Sequence, residues 1–226
     1  MAKGSIGSVL ANSVFYTFGN MLLKVFSFFL IPLYTAYLQP DQYGILNLAS
    51  GFTAVVSCII TMGFQYAVIR FYADLKNDLS KVARMFGTII CSIGGGGIVF
   101  LCGLFLFRNY WCSCIFKGID FYPVIFLAIL ISFVTSLYSV YQDALKGMQQ
   151  ARKSVLLTYV FFFMILVGNI LTVVVLNMGA VGILYATLFV NVIMVGIMFV
   201  DLIKHELFVF CISVSYTHLT LPTIRL

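Results

Sequence analysis

Lys24 sits inside an apolar run, with Met21, Leu22 and Leu23 before it and Val25, Phe26, Phe28 and Phe29 after it. An ammonium group at the centre of hydrocarbon costs about 2.5–3.5 kcal/mol on insertion scales, so it requires water, an anion or a carboxylate beside it. The surrounding spacing supplies a polar face. Asn12, Ser13, Tyr16, Thr17, Asn20, Lys24, Ser27, Tyr34 and Thr35 fall within an arc of roughly 140° when successive residues are turned by about 100°. Val14, Phe15, Phe18, Met21, Leu22, Val25, Phe26, Phe29 and Leu33 dominate the rest of the circle. Asp143 and Asp201 lie near the ends of their apolar runs, too far out to neutralise a lysine at mid-span. A structural lysine, or one that snorkels from a shifted span, would need no ligand. The lack of a deep carboxylate argues for a ligand or water as its partner, or for a carboxylate further along a longer chain; the functional reading is a phosphate or an acidic sugar in a central cavity. Lys24, Asn20, Tyr16 and Asn12 are the candidate binding groups on this face. Arg70, at the end of the next apolar run, is either a further headgroup contact or an interfacial anchor.

Other chemistries find no constellation. The two histidines, His205 and His218, lie outside the apolar runs. No nucleophile stands beside a base, and no pair of carboxylates shares a run, so the chain is not expected to be an enzyme. Cys58, Cys91 and Cys102 read as small hydrophobes. Cys112 and Cys114 are too isolated for a zinc site, which takes four ligands. No metal and no cofactor is expected from these residues. Gly94 to Gly97 form a four-glycine run that lets helices approach or bend. It lacks the lysine and hydroxyl that complete a phosphate loop. Polar rows recur at Asn47, Ser50, Thr53, Ser57, Thr61 and Gln65, at Ser132, Ser136, Ser139 and Asp143, at Asn169 and Thr172, and at Thr187 and Asn191. Such rows hold membrane helices together, and packing is the reading preferred here over substrate contact.

The elements that must position these groups are membrane helices. Hydrophobic residues make up 62% of the 226, charged residues 9%, and the mean hydropathy is +1.10. A water-soluble fold could not cover that much apolar surface. Six spans of transmembrane length are expected, about 9–38, 45–69, 85–107, 121–142, 154–176 and 180–203. Together they make an all-α, polytopic lobe over residues 1–206. With the N-terminus in the cytoplasm, nine basic residues lie inside (Lys3, Arg70, Lys76, Lys81, Arg84, Lys146, Arg152, Lys153 and Lys204) and two outside, Arg108 and Lys117. That bias sets the expected orientation. The net charge of +6 is therefore a topology signal, and no nucleic-acid partner is expected. Residues 207–226 form a tail without helical period. From about Ser213 it resembles a translated sequencing adapter and is expected to be non-native.

Several stretches resemble a known family. Ser-Val-Leu-Ala-Asn-Ser-Val-Phe-Tyr (8–16) opens a first helix that ends Ile-Pro-Leu-Tyr-Thr-Ala-Tyr-Leu (31–38). Gln-Pro-Asp-Gln-Tyr-Gly-Ile-Leu-Asn-Leu-Ala (39–49), Met-Gly-Phe-Gln-Tyr-Ala-Val-Ile-Arg-Phe-Tyr-Ala-Asp (62–74) and Ala-Leu-Lys-Gly-Met-Gln-Gln-Ala-Arg-Lys (144–153) follow. Over residues 5–205 this order resembles the O-antigen, teichoic-acid and exopolysaccharide flippases of the multidrug/oligosaccharidyl-lipid/polysaccharide exporter superfamily. The resemblance implies two six-helix lobes around a cationic cavity in the bacterial cytoplasmic membrane. It also implies alternating access that moves undecaprenyl-pyrophosphate-linked oligosaccharide between leaflets. Implied partners are membrane lipid, that lipid-linked sugar, and the polysaccharide polymerase and glycosyltransferases of the same pathway. Lys24 matches such cavities in kind and location, Arg70 by its place in the 62–74 segment. Six helices equal one lobe, so the chain is expected to be the N-terminal lobe of a longer protein, because alternating access needs two bodies. The rival readings are a multidrug-type antiporter, which would want acidic cavity residues for cationic drugs, and a membrane glycosyltransferase or polymerase, which would want acidic or His-rich loops.

Overall fold

The computed structural model describes residues 13–204, except Phe15, Phe18, Asn20, Leu23, Phe26, Ser27, Phe29, Leu33, Lys76, Asn77, Lys117, Gly118 and Asp120. Every described residue from 13 to 37 is helical (α1). There follow α2 (Pro40–Thr61), α3 (Phe64–Leu75), α4 (Leu79–Leu106), α5 (Arg108–Ile115), α6 (Phe126–Gly147), α7 (Ala151–Asn169) and α8 (Gly179–Lys204). The chain kinks at Tyr122 (φ −99°, ψ 135°) just before α6, and a wider, π-type turn extends α7 through Ile170–Val175. Five described helices are long and apolar enough to cross a membrane: Pro40–Thr61, Ser80–Leu106, Phe121–Gly147, Ala151–Val175 and Gly179–Lys204. The shortest, 22 residues, reaches about 33 Å at 1.5 Å per residue, enough for a hydrocarbon core of about 30 Å. The chain is an all-α, multi-pass membrane protein. Of the first expected span, 9–38, residues 9–12 and several later ones lie outside the described residues, as does the 207–226 tail.

The second expected span, 45–69, is divided. α2 stops at Thr61, where Met62 (φ 44°) and Gly63 (φ 77°) both turn left-handed. The amide of Met62 caps the helix by donating to the carbonyls of Cys58 and Ile59. Gly63 adopts its positive φ without a Cβ penalty. The next helix, α3, is amphipathic. Val68 is fully buried and Phe64 and Tyr72 pack beside it, while Tyr66, Ile69, Arg70 and Phe71 are exposed. Hydropathy stays high across the break, so the sequence pattern joins two helices that the backbone separates. The expected loop 108–120 likewise holds a short helix, α5. The Arg108 guanidinium there lies 5.4 Å and 5.6 Å from the ring centres of Phe105 and Phe121.

α6 is the axis of the bundle. Of its membrane-length window 61% is buried, against 17% for α4 and 11% for α7. Its buried residues fall on every side, among them Leu127, Ala128, Ile131, Ser132, Ser136, Tyr138, Tyr141 and Leu145. α2 and α3 run along one flank in the same direction as α6, and α8 packs along another. Between two helices in lipid there is little hydrophobic drive, so small residues and hydrogen bonds carry the packing. On the α2 flank Thr53 donates to the Ala128 carbonyl at 3.3 Å and Ser57 to the Ser132 carbonyl at 3.2 Å. The Ser57 and Ser136 hydroxyls lie 3.2 Å apart. Each such bond is worth about 0.6 kcal/mol. At the basic end, where α6 and α8 finish, Asp78 caps α4. Its carboxylate accepts from Ser80 Oγ at 2.8 Å and from the Lys81 amide at 3.3 Å, and Lys81 Nζ lies 3.1 Å away. These bonds, that of Ser80 first, hold the carboxyl down at about 2.

The four-glycine run separates into one packed and three free positions. A Cβ on Gly97 would stand 2.8 Å from the Phe133 ring and 3.2 Å from Ile60, whereas one on Gly94, Gly95 or Gly96 would meet nothing within 4 Å. Gly97→Ala should therefore lower stability by about 1–3 kcal/mol through overpacking. Gly95→Ala should not lower it, since alanine is the better helix former. Thermal unfolding of the two variants in detergent checks the contrast.

Candidate functional site

The polar rows converge on a chamber of about 780 Å³ bounded by α1, α2, α6, α7 and α8. α2 contributes Asn47, Ser50, Thr53, Ser57 and Thr61, with Tyr43 above them. Thr135 and Ser139 enter from α6, Asn169 from α7, and Thr187 and Asn191 from α8. The spacings of three or four residues put each set on one helical stripe, which is why one face of each helix meets the chamber. Tyr34 and Ile31 close it from α1, and Phe161 and Ile165 from α7. A smaller cavity of about 420 Å³ shares Thr135, Ser139, Phe161 and Asn191 with it and continues toward the basic end past Tyr138, Gln142, Asp143, Lys146 and Ser154. The two cavities adjoin across these shared residues. Lys146 and Asp143, a 2.7 Å ion pair, line the smaller one.

The chamber is polar without charge. No Lys, Arg, His, Asp or Glu is among the described residues that line it, which differs from the cationic cavity the resemblance implies. Its hydrogen-bond groups are partly engaged. Asn191, 2% exposed, accepts from Thr135 at 3.1 Å and donates to the Thr187 carbonyl at 2.8 Å. The amide of Asn169 donates to the Tyr34 hydroxyl at 2.7 Å and so ties α7 to α1. Its carbonyl, Oδ1, has no partner among the described residues, although Asn169 is 1% exposed. A buried acceptor left unpaired costs about 1–3 kcal/mol. The wider turn at Ile170–Val175 begins at the next residue, and such turns recur at functional sites in helices.

The residues chosen from sequence scatter around this chamber. Tyr16 lines the smaller cavity together with Ser154. Lys24 is exposed and is not among the described lining residues. It does stand seven residues, two turns, before Ile31, which lines the chamber, so the two share a strip within about 20°. Arg70 is exposed on α3, away from both cavities. Asn12 and Asn20 lie outside the described residues. The chamber's own groups were visible in sequence as the polar rows of α2, α6, α7 and α8, there read as packing. Thr53 and Ser57 do pack, and they line the chamber as well. Elsewhere, Cys112 is a half-buried free thiol whose pKa burial raises, with Arg108 opposing. Among the described residues no three His, Cys, Asp or Glu gather as metal ligands would.

A charged strut braces the basic end. Asp201 of α8 accepts from Lys153 Nζ at 2.5 Å and from the Tyr141 hydroxyl at 2.6 Å, joining α6, α7 and α8. Beside it Gln142 bridges Tyr138 and Ser154 at 2.5 Å and 2.7 Å.

A family model described as polysaccharide biosynthesis protein matches residues 9–222. Comparisons with curated proteins and with solved structures give no match.

The strut is open to test. Asp201→Asn removes the carboxylate from a part-buried ammonium and should lower stability by about 1–3 kcal/mol. The double replacement Lys153→Met with Asp201→Asn should lose less than the single one, because no lysine is then left unpaired. Thermal unfolding in detergent, read as a double-mutant cycle, measures the coupling.

Proposed function

Since this chain belongs to the polysaccharide biosynthesis protein family, we propose that it moves lipid-linked oligosaccharide across the bacterial cytoplasmic membrane. The observation that carries the reading is the polar chamber inside a bundle of membrane-length helices. A sugar crossing hydrocarbon must exchange its hydration for hydrogen bonds, and the hydroxyl and carboxamide rows of α2, α6, α7 and α8 offer them. The polyprenyl tail stays in lipid, against the apolar outer surfaces of helices such as α7, where Phe163 and Val167 are exposed. The pyrophosphate between sugar and tail needs a cation at the chamber's edge, and Lys24, on the strip of Ile31, supplies it. Tyr16, which lines the smaller cavity, adds a hydroxyl on the same helix, and Asn12 and Asn20 join the proposal on their helical spacing in sequence alone. Arg70, on the amphipathic α3, suits a lipid headgroup.

The basic end faces the cytoplasm in this reading, so the smaller cavity, lined by Lys146 and Asp143, is the entrance from the inner leaflet. A coupling ion, Na+ or H+, would drive net export. The polymerase and glycosyltransferases that make and consume the lipid-linked unit are the expected partners. Extrusion of cationic drugs fits less well, because no carboxylate is among the described residues that line the chamber. The reading assigns transport rather than bond-making chemistry to the chain.

Lys24→Ala should cut surface glycan at least tenfold while the membrane level of the protein holds, and Lys24→Arg should keep most of it. Surface glycan staining beside an immunoblot of the membrane fraction checks this. Unchanged export in Lys24→Ala would remove the pyrophosphate contact from the mechanism.

A further inference from the structure

We infer that the chamber reads an uncharged glycan through its hydroxyls, with Asn169 as a direct contact. The inference rests on the transport reading above and narrows its substrate class. Two separate observations support it. The first is the chemistry of the lining: Asn47, Ser50, Thr187 and Asn191 are neutral, and no ionisable Lys, Arg, His, Asp or Glu accompanies them among the described residues. A uronate or other acidic sugar placed there would give up its hydration without gaining a counter-charge, a far larger loss than a hydroxyl suffers. A sugar hydroxyl donates and accepts at once, which is what carboxamides and hydroxyls complement. Tyr34, Tyr43 and Phe161 add flat apolar surfaces to the lining, suited to the C–H faces of pyranose rings.

The second observation is Asn169. Its Nδ2 is fixed by the Tyr34 hydroxyl, and its Oδ1 is buried with no donor among the described residues. With Nδ2 donating to the Tyr34 hydroxyl, Oδ1 is directed away from that bond and is left as an acceptor. A glycan hydroxyl at the α1–α7 edge of the chamber would supply the missing proton donor after a small side-chain adjustment. A carboxylate there would bring oxygen against oxygen. The pyrophosphate is outside this selectivity, since its contact lies on the Lys24 strip.

The test compares two probes on the purified full chain in nanodiscs. Both are trisaccharides on a short prenyl pyrophosphate, one of neutral hexoses and one carrying a uronate, so that any difference reports the sugar alone. The neutral probe should bind at least tenfold more tightly, and Asn169→Ala should erase most of that margin. Asn47→Lys, an exposed lining position that leaves the packed core alone, should shift the preference toward the uronate probe several-fold. Equal binding of the two probes, tighter binding of the uronate, or binding of neither would overturn the inference. So would an Asn47→Lys protein with unaltered preference. A flipping assay in liposomes with the same probes is the separate readout: preserved preference without flipping leaves the glycan assignment standing and removes transport.

Discussion

Hydrocarbon offers no hydrogen bonds, so every polar group on a membrane-spanning helix must find its partner inside the bundle or in enclosed water. This constraint orders the whole structure. It turns the serines and threonines of α2 and α6 toward each other, where Ser57 and Ser136 meet across the interface. It sends Asn191 to Thr135 and Asn169 to Tyr34. Where three or more such faces converge without enough side chain to fill the space, a polar chamber remains. The same demand pairs Lys153 with Asp201 at the end of the bundle rather than in its middle. Outward faces carry the opposite character, with Val55, Val99, Phe163, Phe189 and Val200 more than half exposed. In water that surface would aggregate, whereas in lipid it is simply solvated.

Much of this was legible in sequence, for a physical reason. Hydropathy over about 20 residues is a strong signal, because insertion energy is summed along the span. The described helices α4, α6, α7 and α8 overlap the apolar runs at 85–107, 121–142, 154–176 and 180–203. Hydropathy did not reveal the division at Met62–Gly63, because both sides of the break are apolar and a backbone torsion leaves no trace in a sum. The available sign was a glycine directly after Thr61 and Met62, the usual place for a helix to stop. Gly97 illustrates the same limit. Four identical residues gave no hint of which one faces Phe133, since that depends on how α4 is rotated against α6.

The chamber was legible only in pieces. Each polar stripe could be read from its spacing of three or four. Whether a stripe seals an interface or lines a space depends on the distance between helices, which no single helix encodes. Ser57 shows that the alternatives are not exclusive, for it bonds across to α6 and borders the chamber too. Charge in an apolar run makes Lys24 conspicuous in sequence. The neutral carboxamides of Asn169 and Asn191, each no more than 2% exposed, were quieter and proved more central to the geometry.

The hydrogen bonds between α2 and α6 link residues 75 and 79 positions apart. Because α2 and α6 run in the same direction, the chain must cross back through α4 before they can meet. During synthesis α2 therefore enters the bilayer well before its neighbour exists. Its hydroxyls can wait by bonding their own backbone, as Ser50 does to the Leu46 carbonyl at 2.8 Å and Thr61 to the Cys58 carbonyl at 3.1 Å. Asn191 of α8 does the same with its amide, to the Thr187 carbonyl at 2.8 Å. Local bonds of this kind hold the polar groups of a nascent helix until its partner, some 75 residues further along, has been threaded.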